Sequence, residues 1–175
     1  MTTIVALDCE SNGLHGPIFC AAASVQVDGE EATTWRARCP IHGPVDEFVF
    51  DNILPAIEAV PEDCDSGVEL VAQWRRMYRR WEADLGPTLV VCHVPWPVEA
   101  RFLWDAHRDA PFSGPYPLVD IASSLIPLVG WSAACDLDAW LDSVNAPRLR
   151  GSAHDPLYDA RRAAQAYWIL TSGKG

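Results

Sequence analysis

Residues 3–14 read Thr-Ile-Val-Ala-Leu-Asp-Cys-Glu-Ser-Asn-Gly-Leu, and this stretch sets the first constraint on the fold. The apolar and β-branched residues at 3–7 predict a strand, and Asn12-Gly13 predicts the turn that follows it. Asp8 and Glu10 come two residues apart at the end of the apolar run, so their side chains share one face. The stretch therefore predicts a buried first strand that ends in two mutually repelling carboxylates.

The segments that follow this strand predict a meander and then a helix. Residues 17–27 and 32–41 form two further strands, joined by an Asp28-Gly29 turn, and an antiparallel arrangement is expected. Apolar residues then recur every three to four positions, which predicts an amphipathic helix with one buried stripe. The stripe comprises Val68, Val71, Trp74, Tyr78 and Trp81.

Strand and helix patterns alternate in the second half of the chain. Strands are predicted at 88–94 and 118–122, with a helix from Pro97 through Leu103 between them. Two more helices are predicted, one over 137–144 capped by Asp136 and one from Asp155-Pro156 to residue 170. Surface loops are expected around residue 46 and at 61–67 and 110–117. The order β-β-β-α-β-α-β-α-α indicates an α/β fold with a mixed sheet, three antiparallel strands beside parallel ones, flanked by helices.

Length and composition limit the classes of protein that fit. The 175 residues predict a single domain over 1–175, and the 49% hydrophobic and 21% charged fractions are typical of globular proteins. The formal charge of −11 excludes binding of long duplexes by bulk electrostatics, so any nucleic-acid role requires a local site. We find no secretion signal and no apolar run long enough for a membrane span, and therefore expect a cytoplasmic protein.

The six cysteines are scattered without a C-x-x-C pair. In a chain of this size they are expected to be reduced core thiols rather than disulfides. Cys9 lies between two acids, which is compatible with a soft-metal site, but a core-facing position in the strand is the favoured interpretation.

Asp159 and His154 form a second group of residues with chemical potential. Asp159 lies about one turn inside the last helix and His154 just before it, so both can face one cleft. Such an acid can bind a metal or complement the helix dipole, and such a histidine can accept a proton near neutral pH or remain a surface residue. Likewise, Asp8 and Glu10 are either solvated or bind a hard divalent cation such as Mg²⁺ or Mn²⁺.

Taken together, these residues resemble the DEDDh branch of the 3′-to-5′ exonucleases. The family pattern D-x-E-T-T-G-L is similar to residues 8–14, which keep both acids and the Gly13-Leu14 turn but replace the two threonines by Ser11-Asn12. The pattern H-x-A-x-x-D, followed by an alanine-rich helix, is similar to residues 154–159. The resemblance covers nearly the whole chain and implies a ribonuclease-H-like fold.

The middle motif of the family, H-N-A-x-F-D-x-x-F-L, is less well matched. Residues 93–103 read His-Val-Pro-Trp-Pro-Val-Glu-Ala-Arg-Phe-Leu, one residue longer before the acid and with Glu99 in place of aspartate. The added methylene changes the reach of the carboxylate by more than ~1 Å, which catalytic geometry does not tolerate without compensation. Asp84 and Asp105 are the alternative candidates for this acid.

The resemblance implies a two-metal phosphodiesterase that uses two Mg²⁺ or Mn²⁺ ions. Asp8, Glu10 and Asp159 would hold one ion, Asp8 and Glu99 would hold the other, and His154 would accept the proton of the attacking water. The expected substrates are 3′ ends of single-stranded RNA or DNA, short oligonucleotides above all, and the products are nucleoside 5′-monophosphates. Leu14 and Trp96 would contact the nucleic acid, and a homodimer is compatible with this interpretation.

Several alternatives stay open at this stage. The altered middle motif is also compatible with a nuclease-like binding or regulatory protein whose catalysis is weakened. Trp96 either stacks on a base or packs in the core. The four arginines at 75, 76, 79 and 80 are expected to be solvated and paired with acids rather than to bind phosphate. Asp120 and His93 are interpreted as structural residues.

Overall fold

A computed structural model describes residues 1–108 and 118–173 of the chain, so the predicted loop at 110–117 lies outside the described residues. Five strands form one sheet in the order β3-β2-β1-β4-β5. The strands are β1 (Thr3–Ser11), β2 (Ile18–Val27), β3 (Glu30–Arg38), β4 (Thr88–Cys92) and β5 (Leu118–Asp120). β1, β2 and β3 pair antiparallel, whereas β4 pairs parallel with both β1 and β5. The predicted mixed sheet, with its antiparallel meander and its parallel half, is confirmed.

Helices cover both faces of the sheet. A π-helical turn (Val49–Ile53) leads into the short α1, and six further helices follow in the described residues. The helices are α1 (Leu54–Ala56), α2 (Gly67–Leu85), α3 (Val98–Arg108), α4 (Ile121–Val129), α5 (Trp131–Cys135), α6 (Leu137–Ser143) and α7 (Pro156–Thr171). The turns at 49–56 and the helices α4 and α5 were not predicted. Among the described residues, no helix is long and apolar enough to cross a membrane.

Alternate residues of β1 face two different hydrophobic cores. Val5, Leu7 and Cys9 pack in the core that contains the aromatic residues of α2 and α3. Ile4 and Ala6 pack in the second core, which contains the alanines of α7. Because side chains alternate along a strand, Asp8 and Glu10 share the face of Ile4 and Ala6. The register of β1 therefore directs both acids toward α7.

The small side chains of α7 let this helix approach the sheet closely. Ala160, Ala163, Ala164 and Ala166 are buried against β1 and its neighbours. The helix begins as predicted: the Asp155 side chain accepts a hydrogen bond from the Leu157 N–H (3.0 Å), and Pro156 occupies the first turn. This entry places residue 159 in the first turn, beside the sheet.

Several boundaries differ from the sequence prediction for local reasons. β1 extends to Ser11 because residues 8–11 continue to pair with β2, so Asp8 and Glu10 lie inside the strand. β5 ends at Asp120 because this side chain caps α4, accepting a hydrogen bond from the Ala122 N–H (3.0 Å). β3 covers Glu30–Arg38 rather than 32–41.

Two predictions about burial were wrong. Val68 is 81% exposed, and Leu70 takes the place expected for it in the buried stripe of α2. All six cysteines are free, but Cys135 is exposed, so only five are core thiols. Cys9 is a core residue, as favoured above.

Candidate active site

Three carboxylates meet where β1 approaches the start of α7. Candidate ligand oxygens of Asp8, Glu10 and Asp159 all lie within 4.8 Å of one another. Glu10 is buried, and the other two are half-buried. The fold thus brings together the three acids that the sequence resemblance assigns to one metal ion.

The electrostatics of this group are unfavourable without a cation. Burial raises the pKa of Asp8 well above its ordinary value, and the neighbouring carboxylates of Glu99, Glu10 and Asp159 raise it further. Burial, followed by repulsion from Asp159, raises the pKa of Glu10 to about 8. Burial also raises the pKa of Asp159 to about 7, although the hydrogen bond from the His154 amide opposes this shift. Three clustered oxygen donors of this kind fit a hard divalent cation such as Mg²⁺ or Mn²⁺.

Glu99 lies beside this group but does not belong to it. Its Oε1 atom accepts a hydrogen bond from the backbone N–H of Cys9 (2.9 Å), between the two acids of β1. The side chain is buried, and burial raises its pKa to about 7, although the hydrogen bonds from the backbone oppose the shift. The Glu99 carboxylate is thus engaged with the backbone of β1 at Cys9, beside the three acids.

The turn that leads from β4 to Glu99 contains a strained residue. Val94 has φ +52°, a left-handed conformation that is rare for a β-branched side chain. This turn is one residue longer than the family pattern that the sequence resembles, and it ends where α3 places Glu99 in its first turn. The longer turn is thus accommodated by an unfavourable backbone conformation at Val94.

His154 lines a cleft together with Asp8 and Asp159. Its backbone is left-handed (φ +67°), and its N–H donates to Oδ2 of Asp159 (2.8 Å). The cleft has a volume of about 450 Å³. The residues that line it are Asp8, His93, Cys135, Asp136, Leu137, Asp138, Ala153, His154, Asp159 and Arg162. Histidine and acids thus share one solvent-accessible space.

Arg162 is a cleft residue that the sequence did not single out. It is 3% exposed, and its Nε donates to Oδ1 of Asp138 (2.6 Å), while Tyr158 donates its hydroxyl to the same carboxylate. Its place one turn after Asp159 was the signal that could have identified it. Because Arg162 is paired, it offers little free charge to a phosphate.

Leu14 and Trp96 are both exposed to solvent. Leu14 is 62% exposed and Trp96 is 76% exposed, so Trp96 does not pack in the core. Arg101 of α3 donates hydrogen bonds to the carbonyl oxygens of His15 and Gly16, which ties the loop of Leu14 to the helix that follows Trp96. Two apolar side chains are therefore available for contacts with a ligand.

The remaining candidates have structural partners elsewhere. Asp84 pairs with Arg80 at 3.5 Å, and Asp105 pairs with Arg108 at 3.4 Å, both on the surface. His93 shares a hydrogen bond through Nε2 with the carbonyl oxygen of Ala134 (2.8 Å), which links β4 to α5. Neither aspartate belongs to the group of three acids.

Comparison with known proteins shows the fold. No protein-family model matches the sequence, and a search of curated proteins gives no significant match. Among solved structures, Pop2p of S. pombe in its Mg²⁺- and Mn²⁺-bound form is similar, with a TM-score of 0.68 and 12% identity over 97% of this chain and 82% of that chain. The nuclease domain of 3′hExo, a DEDDh family member bound to rAMP, is similar with a TM-score of 0.63 and 14% identity over 98% of this chain and 92% of that chain.

Exonuclease X in complex with 5′-overhanging duplex DNA is also similar, with a TM-score of 0.61 and 19% identity over 99% of this chain and 92% of that chain. The chain therefore has the ribonuclease-H-like fold of the exonucleases. The arrangement of its sheet and helices is similar to that of 3′hExo, a DEDDh family member. The fold implied by the sequence resemblance is confirmed.

Proposed function

We propose that this protein is a metal-dependent 3′-to-5′ exonuclease that hydrolyses single-stranded nucleic acid, preferentially short oligonucleotides, and releases nucleoside 5′-monophosphates. The observation that carries the proposal is the group Asp8, Glu10 and Asp159, with oxygens within 4.8 Å of one another. Two further contacts support it: Glu99 accepts the N–H of Cys9, between the two acids of β1, and the backbone N–H of His154 donates to Asp159.

The acids would hold two divalent ions. Asp8, Glu10 and Asp159 would bind one of them, and Asp8 and Glu99 would bind the other. When bound, such ions neutralise phosphate charge and lower the pKa of water. The carboxylates in turn become stable in their ionised form, because the cations offset the repulsion that raises their pKa values.

His154 would accept the proton of the attacking water at a ring nitrogen. The water oxygen forms a bond to the phosphorus of the last nucleotide, and the bond from phosphorus to the 3′ oxygen of the preceding nucleotide breaks. That oxygen takes a proton from solvent, and His154 returns its own proton to solvent. The products are a nucleoside 5′-monophosphate and a chain shortened by one nucleotide.

The surface around the cleft favours a short single strand. Of the described cleft residues, Asp8, Asp136, Asp138 and Asp159 are acidic, and Arg162 is paired with Asp138. A duplex held by many phosphate contacts needs free cations along its path. Exposed Leu14 and Trp96 offer stacking and apolar contacts to bases instead. We therefore propose recognition through bases and through the reacting phosphate.

The test is hydrolysis of 3′-end substrates by the purified full chain. RNA and DNA oligonucleotides of two to twenty nucleotides would be labelled at the 5′ end and incubated with Mn²⁺, Mg²⁺ or excess chelator. We expect stepwise shortening from the 3′ end with either metal, no reaction in chelator, and faster turnover of the shorter substrates. Asp105→Asn serves as the matched control, because this acid lies on the surface of α3 and should leave turnover unchanged.

Three outcomes would contradict the proposal. Hydrolysis in excess chelator would exclude metal catalysis, and internal cleavage would exclude an exonuclease. Binding of oligonucleotides without hydrolysis in any metal would favour the alternative of a nuclease-like binding protein. The relative rates on RNA and DNA would assign the sugar preference.

A further inference from the structure

Asn12 connects the turn after β1 to a segment more than thirty residues away. Its Nδ2 donates to the carbonyl oxygen of Pro44 (2.8 Å), and its Oδ1 accepts a hydrogen bond from the backbone N–H of Asp46 (2.8 Å). The two bonds use both ends of the side-chain amide. Asn12 stands where the exonuclease pattern has a threonine, whose side chain has one polar atom in place of the two that make these bonds.

Asp46 continues this connection to Phe48. Its Oδ1 accepts a hydrogen bond from the Phe48 N–H (3.0 Å), and its carbonyl oxygen accepts one from the Phe50 N–H (2.9 Å). The side chain of Asp46 also lies close over Gly13, where a Cβ would come within 3.3 Å of Oδ2. The backbone of Phe48 is thus held at a fixed place relative to the end of β1.

The ring of Phe48 lies against the imidazole of His154. The ring centroids are 5.3 Å apart and the planes meet at 88°, a T-shaped contact of favourable geometry. His154 is held to Asp159 through its backbone N–H, which fixes the main chain but not the rotation of the side chain. Among the described residues, the His154 imidazole makes its one aromatic contact with Phe48, and the hydrogen bond of His154 is made by its backbone rather than by the imidazole.

We propose that Asn12, Asp46 and Phe48 form a positioning chain that fixes the orientation of the His154 imidazole. Phe48 is a positioning residue in this arrangement, because it acts through His154 rather than on the substrate. The proposal rests on the proposed function, in which His154 accepts a proton from water. Without the contact, the imidazole would sample other rotamers, and only a fraction of enzyme molecules would hold the base in place.

Phe48 is 54% exposed, so stacking of its ring on a substrate base is the competing role. The two roles differ in the kinetic parameter that they change. Loss of a stacking contact raises KM for oligonucleotides, whereas loss of base orientation lowers kcat at unchanged KM. A role through His154 also requires that Phe48 has no effect once His154 is absent.

The experiment compares Phe48→Leu with Phe50→Leu in the full chain. Phe50 is the matched control, because it is an exposed phenylalanine two residues further on and, in the described part of the chain, the ring contact with His154 is made by Phe48 instead. We expect Phe48→Leu to lower kcat about 10-fold with KM within about twofold, Phe48→Tyr to restore kcat, and Phe50→Leu to behave as the parent. Asn12→Ala should lower kcat in the same direction, and its effect should not add to that of Phe48→Leu.

The decisive comparison is made in the His154→Ala background, which should itself lower kcat about 100-fold. There Phe48→Leu should have no further effect on kcat. A further 10-fold loss of kcat in that background would overturn the positioning role. A rise in KM at constant kcat on Phe48→Leu in the parent would also overturn it and would assign Phe48 to base stacking.

A measurement without substrate separates this proposal from the proposed function. The imidazole protons of His154 should shift in the NMR spectrum of Phe48→Leu and of Asn12→Ala, but not of Phe50→Leu, because the ring current of Phe48 is lost or moved. If these shifts occur in a protein that hydrolyses no oligonucleotide, the contact stands and the nuclease proposal fails. If the parent hydrolyses oligonucleotides and neither kcat nor the shifts respond to Phe48→Leu, the positioning proposal fails alone.

Discussion

The carboxylates of the candidate site differ in their hydrogen bonds. Asp8, Glu10 and Asp159 crowd together, and among the described residues none donates a hydrogen bond to the side chains of Asp8 or Glu10. Asp159 and Glu99, by contrast, each accept a backbone N–H: Asp159 that of His154 (2.8 Å), and Glu99 that of Cys9 (2.9 Å), which ties α3 to β1. The difference teaches that the two acids of β1 repel each other without a compensating donor in the metal-free protein, whereas Glu99 fastens α3 to β1 as well as lying beside the metal-binding group.

The largest effect is expected from Asp8→Asn, which breaks the three-acid side of this comparison. Asp8 is assigned to both ions, so turnover should fall at least about 1000-fold, equivalent to about 4 kcal/mol. The metal-free variant should nevertheless be more stable than the parent at pH 8, by about 1 kcal/mol, because one buried negative charge is removed. Hydrolysis rates and urea unfolding in chelator measure the two changes. A less stable metal-free variant would mean that Asp8 has a structural role instead.

Substitution of Glu99 tests the other side of the comparison. Glu99→Asp should slow turnover about 10- to 100-fold and raise the Mn²⁺ concentration needed, because the shorter side chain withdraws its oxygen from the second ion. Glu99→Ala should be slower still and should lower the free energy of unfolding by about 1 to 3 kcal/mol, since the Cys9 N–H loses its acceptor. Asp105→Asn on the same helix is the control for both measurements.

Two results would change the interpretation of Glu99. If Glu99→Asp were faster than the parent, the glutamate would be a weakened ligand, and binding rather than catalysis would be the main task of the protein. If Glu99→Ala matched the parent in turnover but not in stability, Glu99 would only fasten α3 to β1.

Periodicity was sufficient to predict the long elements of this fold. β1, β2, α2, α3 and α7 have strand or helix patterns that burial on the sheet reinforces. α4 was missed because it is only nine residues long and contains Pro127, a residue that normally ends a helix. α1 and α5 are too short to show a period. The fold class was thus predictable, whereas the short helices depend on tertiary packing.

The site was predictable in its members but not in their contacts. Spacing pairs Asp8 with Glu10, the family resemblance adds Asp159, and the fold brings the three acids together. Spacing does not reveal that one oxygen of Glu99 is engaged by the strand, because the partner lies 90 positions away. It also does not reveal Phe48, which reaches His154 from a segment without a recognisable motif.

The pH dependence of stability should sharpen the contrast between the metal-free and metal-bound protein. Burial raises the pKa of Glu10 to about 8 and that of Asp159 to about 7, whereas both groups titrate near pH 4 in the unfolded chain. Between about pH 4 and pH 8 the folded state therefore binds more protons than the unfolded state. The contribution of these two groups to the free energy of unfolding should therefore be greatest below pH 4.5. It should fall by about 2 kcal/mol or more when the pH is raised to 8.

With saturating Mn²⁺ the carboxylates stay ionised and paired with cations, so the decline should disappear and the stabilisation by metal should grow with pH. Urea unfolding at several pH values, in chelator and in Mn²⁺, measures both curves. Asp8→Asn should flatten the decline in chelator, whereas Asp105→Asn should leave it unchanged. A metal-free protein whose stability rises from pH 5.5 to 8 would show that these acids are not mutually repelling in the folded state.

The smallest effect is expected from the strained turn that leads to Glu99. Val94 is left-handed (φ +52°) and 41% exposed, and asparagine adopts this conformation more readily than a β-branched residue. Val94→Asn should raise the free energy of unfolding by about 1 kcal/mol, while Val68→Asn, on the exposed face of α2, should not stabilise the protein. Urea unfolding compares the two variants. Unchanged turnover in Val94→Asn would mean that the strain only accommodates the longer turn, whereas a higher Mn²⁺ requirement would mean that the valine helps to hold Glu99 toward the second ion.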